Sequence, residues 1–276
     1  MASGGAITTG TTRAERVVDS RRAFLGVSAI VFAASAAMTI VWCASMSATG
    51  EMQMSGGWTM SMMWMRMPGQ TWVGAAASFL GMWVVMMVAM MLPSLTPALW
   101  RHRQAIGRTG GTHLGLLTAL VGVGYFAIWV VLGAIVFPLG VVLADIAMRE
   151  PTVARAVPIA TGAVVLAAGI LQCTMWKARH LAFCREAPGT GLTLAADAGA
   201  AWRHGLRLGV HCGHSCAGLT VVGLSLGVMD LRVMAVVAAA ITAEHLTPAG
   251  VRFSRAIGVV VVGAGLFLIA LAAGVG

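Results

Sequence analysis

Long apolar runs recur from residue 23 almost to the C-terminus, and the short segments between them carry most of the arginines. Few folds tolerate that pattern. The chain has 276 residues, of which 59% are hydrophobic and 10% charged. Its mean hydropathy of +0.88 lies far from a soluble domain and close to a polytopic membrane protein. In hydrocarbon every backbone N–H and C=O must find its partner inside the structure, which leaves helices or closed barrels. No stretch shows the ten-residue polar–apolar alternation of barrel strands. The 35 glycines suit closely packed membrane helices. The expected fold is therefore all-α: a polytopic transmembrane helical bundle of about seven spans.

The spans are expected from Ala23 to Cys43, then Trp72–Leu92, Leu114–Phe137, Val157–Met175, Leu208–Val228, Leu231–Leu246 and Ala256–Ala273. Pro93 and Pro97 should stop or kink the second. A polar loop is expected at 143–156. Residues 1–20 are small and polar and read as a disordered cytoplasmic tail; 21–276 form a single transmembrane domain. Ser20-Arg21-Arg22-Ala23-Phe24-Leu25 resembles a twin-arginine export signal. The spans that follow need none, so it reads as the start of an ordinary first membrane helix.

Charge fixes the orientation. With the N-terminus inside, only Arg66, Arg149, Arg155 and Arg232 face outward, and the other 14 of the 18 Lys and Arg lie inside, in accord with the positive-inside bias. The net charge of +9 is thus a membrane feature and calls for no nucleic acid. The chain reads as a multi-pass protein of the inner (plasma) membrane, with the lipid bilayer as its first partner. A Met-rich loop, 45–71, then faces outward and a basic loop, 177–207, faces inward.

Within this apolar chain the stretch Gly205–Glu244 carries His211, Cys212, His214, Cys216, Asp230 and Glu244. Such groups in a membrane segment are costly and need partners. A metal ion suits that mixture. On a helix Cys212 and Cys216 lie about 40° apart, whereas Cys212 and His214 lie about 160° apart. One ion cannot take all four from a straight helix. Cys212 and Cys216 form the plausible pair, supplemented from neighbouring helices; His211 and His214 form a second pair or line a polar crevice. The inward ends of other spans should bring Met90, Cys173 and Glu244 to the same depth. Glu244 could instead pair with an arginine or relay a proton. Soft sulfur ligands favour Cu(I) first, with zinc possible. Cys173, Lys177, His180 and Cys184 fall on one face of a continued span-four helix.

The outer loop contains Met60, Met62, Met63, Met65 and Met67. Loop methionines have no core to fill, and their thioethers bind Cu(I) without deprotonation. Trp58 and Trp64 leave open a membrane-surface role. Gly205, Gly209 and Gly213, four residues apart, open a face for close helix contact. Five scattered cysteines make no disulfide framework. No Walker loop, dinucleotide fingerprint, HExxH or nucleophile elbow occurs, so no enzyme is expected.

The residues Ala89-Met90-Met91-Leu92-Pro93 with Pro97, Gln172-Cys173 with Lys177, Leu181, Cys184-Arg185 and Pro188, and Gly205, Gly209, Cys212, Cys216, Gly227, Met229, Asp230, Met234 and Glu244 together resemble a family of predicted metal-binding integral membrane proteins. That family often carries a copper-chaperone-like label. The resemblance covers about 70–260. It implies a membrane bundle with a metal-binding motif on the fifth span. Two departures stand out. The family's third Cys, directly before the position of Cys216, is Ser215 here, and its Lys after the glutamate is His245. Losing one thiol leaves His211 or His214 as replacements. The expected function is copper handling in the membrane, as chaperone, delivery factor or transporter, with a metal ion as partner and another membrane subunit or metalloenzyme as a second candidate partner. The alternative is a non-catalytic assembly subunit of a larger membrane complex.

Overall fold

A computed structural model describes residues 13–48, 52–66, 69–108, 113–185 and 197–274. Residues 1–12 of the expected tail, Met67, and residues 186–196 of the basic loop lie outside them. The described chain forms eight α-helices: α1 (Arg13–Ala48), α2 (Trp72–Arg108), α3 (Leu114–Arg149), α4 (Pro151–Gln172), α5 (Met175–Arg185), α6 (Ala198–Gly227), α7 (Leu231–Leu246) and α8 (Gly250–Gly274). The only strands among the described residues are β1 (Met52–Gln53) and β2 (Thr59–Met60), an antiparallel pair in the Met-rich loop.

Five helices, α1, α2, α3, α4 and α8, are long and apolar enough to cross a membrane. Seven spans were expected. The 16-residue α7 is short, and the histidines and hydroxyls of α6 dilute its apolar character. Both nevertheless pack inside the bundle, α6 against α3 and α4 and α7 against α2 and α6. Helices α1 and α8 expose Val27, Ile30, Val259 and Val260 on their outer faces. Such surface would be a liability in water and is ordinary against lipid.

Three local expectations are corrected. Helix α2 continues past Pro93 and Pro97 to Arg108, so the prolines do not stop it and the basic segment after it is largely helical. Ser94 and Thr96 donate to the Met91 and Leu92 carbonyls at 2.8 and 2.7 Å. The polar loop at 143–156 collapses to a single linking residue, Glu150, between α3 and α4. Pro151 at the first position of α4 has its φ preset for a helix start. Span four ends at Gln172, and α5 begins afresh at Met175. Cys173 therefore does not share a helix with Lys177, His180 and Cys184.

Asp230 proves to be a cap. It accepts from the Arg232 and Val233 backbone N–H groups at 2.7 and 3.3 Å, satisfying donors that α7 would otherwise leave bare. Gly227, with φ +139°, ends α6 just before it.

Glycines set the helix spacing. A Cβ on Gly205 would strike the Val121 carbonyl of α3, and one on Gly209 would lie 2.8 Å from the Tyr125 carbonyl. These two thus open the close-contact face expected of them. Gly213 does not share it: its nearest neighbour, Leu132, would be an ordinary 3.7 Å away. Contacts climb α3 and α6 together from Val121–Gly205 to Leu132–Gly213, so the two helices run in the same direction, as the third and fifth spans should. Helices α4 and α8 pack antiparallel with equal closeness, where a Cβ on Gly169 would lie 2.6 Å from the Val262 nitrogen.

The Met-rich loop is folded onto the bundle. The Trp58 indole N–H donates to the Ala154 carbonyl at 2.8 Å. The Trp64 ring fills the space over Gly140 of α3 and packs at a tilt against Phe79, with centroids 5.6 Å apart. Met60 is 4% exposed, and Met63 packs against the main core. The expectation that these methionines lack a core fails here, because the two tryptophans anchor the loop and draw its neighbours inward.

Candidate metal centre

The close approach of α6 to α3 delivers Cys212 to the interior. Its sulfur lies 3.6 Å from the Cys216 sulfur, one turn on, and 3.0 Å from the Tyr125 hydroxyl. Both thiols are buried, at 3% and 0% exposure. Two sulfurs 3.6 Å apart, each about 2.3 Å from a shared ion, subtend roughly 100° at it. That is near a tetrahedral angle, so the pair could chelate without backbone movement. The Cys184 thiol of α5 is buried in the same core cluster, within electrostatic reach of Cys212.

The third member comes from α7. One ring nitrogen of His245 lies within 4.8 Å of both thiol sulfurs. Its Nδ1 sits 2.8 Å from the Ile241 carbonyl oxygen. A carbonyl only accepts, so Nδ1 carries the proton and Nε2 holds a lone pair. That Nε2 is buried and has no hydrogen-bond partner. A backbone carbonyl that fixes the tautomer and leaves the other nitrogen bare is how proteins commonly present histidine to a metal.

Beside this cluster lies a buried ion pair. The Lys177 ammonium of α5 sits 2.7 Å from the Glu244 carboxylate. Gln172 completes the group: its amide N–H donates to Glu244 at 2.9 Å, and its carbonyl oxygen accepts from Lys177. Burial pushes the Lys177 ammonium below the ordinary lysine range, and Glu244 pulls against that. Lys177 also lies within electrostatic reach of Cys216. Glu244 therefore pairs with a lysine and not with the expected arginine.

Residues 80–268 match the family model described as PpoB2, copper chaperone. The chain belongs to this copper-chaperone family. No curated protein and no solved structure matches it. The match spans all of α3 to α7, and with the apolar helices it identifies a membrane-associated copper-handling protein.

The other candidate ligands of this copper-chaperone family member are distributed as follows. Met90 lies in the same buried cluster as Cys212 and Cys216. Cys173, at the end of α4, is exposed, with its sulfur 3.8 Å from the Arg255 carbonyl. His211 and His214 turn away from the thiols toward α5. His180 Nδ1 lies 2.9 Å from His211 Nδ1, and the His180 and His214 rings stack at 4.8 Å. Burial first, then His214 and His211, holds the His180 pKa below 6.5. Met60, Met62, Met63 and Met65 lie in the segment between α1 and α2, far along the chain from the thiols. Sequence reasoning missed Tyr125 and Cys184 as neighbours of Cys212 and Cys216, and it brings His245 to their depth without counting it as a ligand. For His245 one signal existed: it sits where the family usually has lysine, beside a glutamate already under suspicion.

Proposed function

We propose that the protein is a non-catalytic Cu(I) carrier of the inner (plasma) membrane. Cys212, Cys216 and His245 hold the ion, with Cys184 in reserve as an exchange ligand. The observation that carries this reading is the bare, buried Nε2 of His245 beside two thiols already at chelating distance. Two thiolates, one neutral imidazole and one Cu(I) carry a single net negative charge. Lys177 near Cys216 offsets it, while Glu244 and Gln172 hold Lys177 in place. Zinc fits the same three ligands less well, since it takes a fourth to complete a tetrahedron, whereas Cu(I) accepts two or three soft ligands without a fourth.

The Met-rich loop supports an outer collecting role, and the shared ligand cluster supports retention or delivery to a partner metalloenzyme or membrane subunit. Copper analysis of the purified protein tests the proposal. About one Cu(I) should be lost in Cys212→Ser/Cys216→Ser. Full retention of copper in that variant would leave the thiols as packing residues and favour the assembly-subunit reading.

A further inference from the structure

A second group of sulfurs gathers at the opposite end of the bundle. Met229, in the link between α6 and α7, lies 13 residues beyond Cys216, or about 20 Å along the axis. Its thioether sulfur is 3.9 Å from the thiol of Cys43, near the end of α1. Both line a cavity of about 1340 Å³, whose wall also includes Met60 of β2. Cys43 and Met60 are 3% and 4% exposed. One thiol and two thioethers from three separate elements thus face one chamber, roofed by Trp58 and Trp64 of the folded loop.

We propose that Cys43, Met229 and Met60 form a separate Cu(I) site that receives the ion on the outer side before it reaches Cys212 and Cys216. The proposal rests on the copper reading above and adds a place for loading. Two sulfurs 3.9 Å apart, each about 2.3 Å from one ion, subtend roughly 115°, close to the 120° of a three-coordinate ion. Thioethers are poor ligands for zinc and good ones for Cu(I). Binding replaces the S–H bond of Cys43 with an S–Cu(I) bond and releases one proton to water in the cavity. No change of copper oxidation state is involved. The loop methionines then have two tasks: Met60 as a ligand, and its neighbours as a route toward it.

The test is Cu(I) stoichiometry of the full chain in detergent, measured against a colorimetric Cu(I) chelator. The wild type should hold two equivalents and Cys212→Ser/Cys216→Ser one. Adding Cys43→Ser and Met229→Leu to that variant should remove the last. If the last equivalent survives those changes, the outer site is overturned. If the wild type holds one equivalent and loses it with Cys212 and Cys216, the inner site stands and the outer one falls. If the wild type holds none, both fall. Should Cys43→Ser fold poorly, Met229→Leu alone nearly conserves volume and should weaken the remaining site about tenfold or more. X-ray absorption of Cu(I)-loaded Cys212→Ser/Cys216→Ser gives an independent readout: sulfur-only scattering at about 2.3 Å supports the site, and nitrogen or oxygen scattering sinks it.

Discussion

The Lys177 ammonium and the Glu244 carboxylate meet at 2.7 Å with their side chains 2% and 0% exposed. They join α5 to α7 directly beside the thiols. Removing one partner of a buried pair strands the other charge, at a typical cost of about 3–5 kcal/mol. Lys177→Met and Glu244→Gln should each lower thermal stability in detergent by that order. The double variant should recover a large part of the loss. Additive losses in the cycle would show that the two side chains act independently.

His245→Gln keeps polarity but removes the oriented Nε2. Cu(I) affinity should fall roughly tenfold or more, while the helical circular dichroism and elution volume stay unchanged. Wild-type affinity in this variant would take His245 out of the ligand set.

Gly205→Ala places a methyl group against the Val121 backbone. Neither backbone can yield cheaply, so a loss of about 1–3 kcal/mol is expected, together with looser contact of Tyr125 with Cys212. Gly213→Ala meets only Leu132 at 3.7 Å and should be neutral or slightly stabilising. Equal melting temperatures for the two variants would argue against close α3–α6 packing.

The histidine cluster on α5 and α6 should make stability fall in acid. The His180 pKa is lowered from 6.5, so just below that pH the unfolded chain binds more protons than the folded one, and stability rises with pH. Acidification from pH 7.5 to 5.5 should lower the melting temperature, and His180→Gln should flatten that dependence. A profile unchanged by the substitution would place the acid sensitivity elsewhere.

Reporter fusions after Thr49 should read outside, and those after Arg108 and Thr190 inside, as the arginine bias requires. A cytoplasmic reading after Thr49 would put the methionines on the wrong side for collecting copper.

The amino-acid sequence by itself determined the class of fold, because the lack of water in a bilayer leaves an apolar chain little choice but helices. It also marked the Gly205 and Gly209 contact face and the Cys212–Cys216 pair, since both follow from the 3.6-residue period of one helix. It read less well where helices end. Pro93 and Pro97 look like breakers, yet α2 continues past both, and Cys173 looks like part of a longer helix that in fact breaks there. What only the tertiary structure decided is which side chains meet across helices. That Lys177 pairs with Glu244, that His245 brings a ring nitrogen to the thiols, that His211 faces His180 instead, and that Cys43 meets Met229 all depend on how each helix is rotated and slid against its neighbours. Those rotations are set by many small contacts between distant parts of the chain, such as a glycine seated against a backbone carbonyl, and no local pattern records them.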